Sequence, residues 1–148
     1  MAAGPFTVFN IAKLKLLNGI HDLDTHVYKM ALVTSSQSID ATFAGTSTDA
    51  RYADLTAQVA NGNGYTTAGK TLAMTVTRST GTITVDCDDQ SWTSSTFSAK
   101  YAVIYNDTAS NKDLLGFVDL ETGVGSGLSP SNGTLSITIN ASGLFTLS

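Results

Sequence analysis

Gly64-Tyr65-Thr66-Thr67-Ala68-Gly69-Lys70-Thr71 matches the spacing G-x-x-x-x-G-K-[ST], in which a glycine-rich loop cradles phosphate oxygens and the lysine neutralises them. That chemistry needs a buried strand before the loop and a helix after it. The helix supplies backbone N–H groups and a positive dipole end to the anion. Here the match comes after Asn61-Gly62-Asn63, a turn-rich stretch, and Leu72-Ala73-Met74-Thr75-Val76-Thr77 beyond it alternates like a strand. Leu114-Leu115-Gly116-Phe117-Val118-Asp119 imitates the apolar strand that ends in a magnesium-binding Asp, but any strand running into a turn gives that pattern. The expected reading is a glycine-rich turn entering a strand.

Other reactive side chains fall into loose sets. His21-Asp22-Leu23-Asp24-Thr25-His26 gathers metal-ligating types in one short stretch, without the ligand spacing of a zinc site and with no Cys nearby. A polar loop before a strand explains it. Asp86, Asp88 and Asp89 form one oxygen-rich group, and Asp107, Asn111 and Asp113 another. Calcium favours such ligands, but neither set fits the twelve-residue loop with its terminal Glu, so solvated turn carboxylates are expected. Cys87 alternates with Asp86 and Asp88 on a predicted strand and reads as a small core residue. There is no G-x-S-x-G elbow, and neither histidine sits in a recognisable triad context. Asn106, Asn132 and Asn140 open formal glycosylation sequons that read as turn chemistry. Trp92, Phe97, Tyr101 and Tyr105 could form a sugar platform, yet period-two placement favours a core or sheet face. No catalytic residue, metal ligand or cofactor-binding residue is assigned, and the expected protein is not an enzyme.

The elements that would hold these residues are mostly strands. The chain has 148 residues, enough for one domain spanning 1–148 that buries roughly 68–70% of the unfolded surface. Charged residues make up only 14%, below the ~25% typical of soluble domains, while Ser and Thr fill roughly a quarter of the chain. A net charge of −4 argues against a nucleic-acid partner. A single cysteine forms no internal disulfide, and no apolar run is long enough to span a membrane. Met1-Ala2-Ala3-Gly4-Pro5 lacks the basic start and apolar core of a secretory signal.

Phe9, Ala12, Leu16 and Ile20 recur at helical spacing, as do Leu14 and Leu17. A short helix over Ile11–Leu17 is predicted, capped by Asn10 and ended by Asn18-Gly19, within an N-terminal arm of about residues 1–20. Asp49–Thr56 is a second, weaker helical candidate. The remainder alternates. Tyr28, Met30 and Leu32 share one face, with Val27, Lys29, Ala31 and Val33 on the other. Leu72, Met74 and Val76 alternate with threonines, and Ser79-Thr80-Gly81 turns that strand into Thr82–Cys87 as a hairpin. Phe97–Tyr105 is predicted as one strand, with Phe97, Ala99, Tyr101, Val103 and Tyr105 on a common face. Leu114–Leu120, Thr134–Asn140 and Leu144–Leu147 complete the set, and Gly123–Gly133 reads as an exposed loop. The pattern predicts a mainly β fold: an antiparallel β-sandwich, jelly-roll-like, with one short N-terminal helix.

Four stretches together resemble a family. They are Tyr28–Val33, Gly62–Gly69, Trp92–Phe97 and Lys100–Asp107, and they are similar to small virion structural proteins of tailed bacteriophages over roughly residues 9–148. Where the family often carries Gly, position 70 here is Lys, which creates the phosphate-loop match. The resemblance implies a virion location after synthesis in the bacterial host cytoplasm. It further implies a capsid decoration or cement protein that binds the major capsid protein and stabilises the shell, as a homo-oligomer (dimer or trimer) on the particle. The alternative it leaves is a tail, collar or fibre-associated binding module that contacts host glycan. It brings no catalytic residue.

Overall fold

A computed structural model describes residues 4–45, 48–123 and 125–148. Met1–Ala3 of the N-terminal stretch and Val124 of the Gly123–Gly133 loop lie outside the described residues. In chain order the elements are β1 (Thr7–Val8), α1 (Asn10–Leu17), β2 (Tyr28–Val33), a 3-10 turn (Tyr52–Asp54), β3 (Lys70–Leu72), β4 (Met74–Ser79), β5 (Thr82–Cys87), β6 (Gln90–Ser95), β7 (Tyr101–Asn106), β8 (Leu114–Asp119), β9 (Gly133–Ile137) and β10 (Phe145–Leu147). The protein is mainly β, its sheets are antiparallel, and among the described residues the one short α-helix lies near the N-terminus.

A five-stranded sheet in the order β1-β8-β7-β2-β3 forms the middle of the fold. β2 and β7 pair from Tyr28↔Asn106 to Val33↔Tyr101, and both strands are buried on both faces over most of their length. A strand covered on both sides reads as an almost continuous apolar run, as Met30-Ala31-Leu32-Val33 and Ala102-Val103-Ile104 do. On one face, Tyr28, Met30, Leu32, Ala102 and Ile104 pack with Cys87, Trp92, Leu135 and Ile137 of two smaller sheets, β10-β5-β4 and β6-β9. On the other, Ala31, Val33, Val103 and Tyr105 meet Phe9 and Ala12 of the N-terminal arm and helix, with Ile39, Ala50 and Leu55 from the segment between β2 and β3. The packing of sheet on ribbons is sandwich-like, and the arm, helix and long segment close its second side.

Several elements differ from the periodic reading. The predicted 71–77 strand breaks at Ala73: Leu72 pairs with Tyr28 in the central sheet, whereas Met74 pairs with Cys87 in a ribbon. One strand thus turns a corner between layers, and period-two alternation runs through such corners unmarked. The predicted 97–105 strand begins only at Tyr101. Phe97 and Ala99 therefore join the ribbon-side core, while Tyr101, Val103 and Tyr105 face the helix side. Between them, Ala99 bridges Leu128 and Lys100 N–H donates to Val33 O, so the chain is crossing layers there. β1 and β6 escape the pattern because β1 spans two residues and β6 is Gln-Ser-Trp-Thr-Ser-Ser, with a single apolar residue. The Asp49–Thr56 candidate contracts to the 3-10 turn. Phe9 occupies the helix N-cap instead of Asn10, which is already helical; Asn18 is the C-cap, and Gly19 comes after it at φ +72°.

The β4–β5 hairpin is as predicted. Ser79 faces Thr82, and the two-residue loop Thr80-Gly81 has positive φ at both positions, as a type I′ turn requires.

Trp92, 2% exposed, plugs the ribbon-side core from β6. Trp92→Ala should cost about 3–5 kcal/mol, read as a lower urea midpoint with the slope unchanged.

Candidate functional site

The Gly64–Thr71 loop is bound into the fold by its own side chains and backbone. Leu32 N–H donates to the Tyr65 hydroxyl at 3.1 Å, and the Tyr105 hydroxyl donates to Ala68 O at 2.9 Å. Burial pushes the Tyr65 phenol up to about 12, so it stays protonated. Gly69 has φ +77°, and a Cβ there would fall 1.8 Å from Met30 O. The loop therefore presses directly on β2. Its chain continues into strand β3, so the helix end that would hold a phosphate is missing from this place. Lys70 donates to Ser91 O and lies 5.4 Å from the centre of the Trp92 ring. It clips β3 to β6.

The remaining reactive sets are likewise committed to holding the chain. Asp86, Asp88 and Asp89 accept from the N–H groups of Cys87, Ala73 and Ile139, and Asp88 also accepts from Gln90 Nε2. Their hydrogen bonds fix the chain around β5 and β6. Asp107 pairs with Lys29 at 2.8 Å and with Lys112, while Asp113 pairs with Lys15. Burial works to raise the Asp107 carboxyl, but its two lysine partners outweigh that and hold it below the usual range. Among the described residues, no three His, Cys, Asp or Glu side chains converge as metal ligands. Burial, aided by Asp88, Asp86 and Asp89, pushes the Cys87 thiol up to about 12, which keeps it a neutral core residue. Trp92 and Tyr105 are buried, so the four aromatics do not form an open platform.

Two residues of the His21–His26 stretch, expected as a polar loop, meet a shared polar cluster. At the end of the central sheet, Asn106 Nδ2 lies 2.9 Å from His26 Nδ1, 3.0 Å from Ile20 O and 3.4 Å from the Tyr28 hydroxyl. His21 Nδ1 is 3.4 Å from that same hydroxyl. Asn106 Oδ1 accepts from the N–H groups of Thr108 and Ala109. Asn106 is fully buried, so its sequon is closed to modification in the folded chain. Asp22 makes the turn between the two histidines, accepting from Thr25 Oγ1 and from the N–H groups of Asp24 and Thr25; those bonds lower its pKa. The cluster is a polar clasp that ties the segment after α1 to β2 and β7. His21 is 4% exposed, and its Nε2 lacks a hydrogen bond of good geometry. Burial lowers it to about 4, against the opposing attraction of Asp113.

The accessible surface offers two different features. A groove of about 850 Å³ runs between Pro5-Phe6, Leu120 and the Ile137–Leu144 segment, lined by apolar groups, hydroxyls and one amide, with no ionisable side chain. On the helix Leu14 (52% exposed) and Leu17 (87%) are uncovered, Ile20 (42%) is exposed just beyond the C-cap, and Val27 is exposed nearby in sequence. The opposite side of α1 carries buried Ala12. By spacing alone, Leu14 and Leu17 read simply as helical pattern. Apolar residues around most of a surface helix signal a second face awaiting cover, and that signal is present in the sequence.

Compared with known proteins, the chain matches no family model, no curated protein and no solved structure.

Two outcomes test the structural roles assigned above. Gly69→Ala should cost more than about 2 kcal/mol, from positive φ plus overlap with Met30 O, whereas exposed Lys70→Ala should cost about 1 kcal/mol or less. Chemical denaturation of the two variants checks the contrast.

The pH dependence comes from His21. Unfolded, it takes its proton near 6.5; folded, only near 4. Between those values the unfolded chain binds the extra proton, so stability falls as pH falls, by about 2 kcal/mol between pH 7 and 5 from this group. Asp22 and Asp107, held below the usual carboxylate range, act only at more acid pH. Denaturation midpoints at pH 7 and 5 should show this loss in the native chain and a flatter profile in His21→Asn.

Proposed function

We propose that this is a non-enzymatic structural protein of a bacteriophage particle, a decoration or cement protein that binds the major capsid protein and stabilises the shell. The observation that carries the reading is the exposure of Leu14 and Leu17 on α1 and of Ile20 just beyond it, on a chain whose central sheet is already covered on both faces. Contiguous exposed apolar residues beside polar ones mark protein contact surfaces. The resemblance of Tyr28–Val33, Gly62–Gly69, Trp92–Phe97 and Lys100–Asp107 to phage virion proteins supplies the partner. The mechanism is adhesive. Each copy buries about 1,200–2,000 Å² against neighbouring subunits and binds the assembled shell in preference to separated subunits. Repetition over the lattice raises the effective concentration of every further contact.

Particles assembled without this protein should form but break at lower temperature, and added protein should restore resistance with saturation at a fixed ratio to the capsid subunit. Leu17→Asp should leave the fold's stability nearly unchanged, because Leu17 is 87% exposed, while weakening particle binding at least about tenfold. Bare heads that are equally robust and bind no added protein, with a few copies found at the tail, would reject the reading and favour the tail module.

A further inference from the structure

We infer that the free edge of β4 is a self-pairing surface, through which two copies of this chain join antiparallel across a two-fold axis into one six-stranded sheet, β10-β5-β4-β4-β5-β10. Asp88 N–H donates to Ala73 O at 3.3 Å, so Ala73 points its peptide groups toward β5. Along an antiparallel strand that direction alternates. Thr75, Thr77 and Ser79 therefore bond to β5, facing Asp86, Thr84 and Thr82. Met74, Val76 and Arg78 present their N–H and C=O groups outward, where β4 is the last strand of its sheet. Residues 75 to 81 are exposed on both faces, so a second strand has free access.

This edge lacks the protection that other edges carry. β1, β3 and β10 are two or three residues long. β6 is interrupted by a bulge after Trp92, and Lys70 covers its Ser91 carbonyl. β9 runs along the apolar groove. β4 has six residues, no proline and no bulge, and only Arg78 is charged. Unprotected edges of β-prone sequence recruit another strand.

The charge pattern makes a second copy the fitting occupant. Only registers that set outward residues against outward residues form hydrogen bonds, and centring on Val76 places Met74 opposite the partner's Arg78 and Val76 opposite the partner's Val76. No like charges face each other. The arrangement forms about six main-chain hydrogen bonds. It also carries each cationic hairpin tip to the acidic base of the other hairpin. There Asp88 Oδ1 is bound to Ala73 N–H at 2.6 Å, next to Met74, with Asp86 and Asp89 close by in the chain. Val76, 38% exposed in the single chain, gains a cross-strand apolar neighbour.

Sedimentation velocity over a concentration series tests this. The native chain should be a dimer at ~100 μM, with a midpoint that rises with salt. Val76→Pro removes only an outward N–H, so the hairpin should keep its far-UV CD spectrum while the dimer is lost. Val76→Lys keeps the N–H but sets like charges opposite each other, and it should raise the midpoint at least about tenfold. If Val76→Pro disturbs the fold, Val76→Lys decides. A native chain that is monomeric at ~100 μM, an oligomer with the same midpoint in both variants, or a monomer that takes up another protein's strand at β4 would each overturn the assignment.

Discussion

The pairing of β2 with β7, buried on both faces, is the constraint on which the other features depend. Tyr28–Val33 and Tyr101–Asn106 are about seventy residues apart, yet their pairing defines the middle of the sheet. A strand covered on both sides must have two separate cores, one supplied by ribbons and one by the arm, helix and long segment. The ends of such a strand cannot leave backbone or side-chain polar groups unsatisfied. That requirement accounts for the polar clasp at the 106 end, where Asn106, Tyr28, His21 and His26 share hydrogen bonds. It also accounts for the loop at 64–69, whose Tyr65 hydroxyl accepts from Leu32 N–H and whose Gly69 allows contact with Met30.

Most groups that could do chemistry are therefore occupied. Lys70 holds β6, Asp88 and Asp89 hold corners, and Asp107 and Asp113 neutralise lysines from α1, β2 and the turn before β8. Only 14% of the residues are charged, and many of those charges are already paired or bound to backbone groups. His21 is the group whose burial opposes its charged form most clearly, so the clasp couples stability to pH.

The outward-facing features fall into two kinds. The helix presents apolar side chains, and the β4 edge presents backbone donors and acceptors. These are different chemistries and can be used together. Exposed apolar side chains fit a protein surface, whereas a strand edge fits another strand, and the acidic base and cationic tip of the hairpin select an antiparallel mate.

Much of this protein was legible in the residue order. Alternation over Tyr28–Val33 assigned each side chain its correct face, Ser79-Thr80-Gly81 located the hairpin, and a strand after Lys70 told against a phosphate loop. These are local effects: side-chain period and turn conformation are set within a few residues. The breaks at Ala73 and before Tyr101, the strand at Trp92, and the gathering of His21 and His26 around Asn106 were decided by tertiary structure alone. Alternation continues unchanged when a strand leaves one sheet for another, and a Ser/Thr strand carries almost no periodic signal. The exposure of Leu14 and Leu17 belongs to the same class, because the sequence shows that a residue is apolar, while the rest of the chain decides whether it is covered.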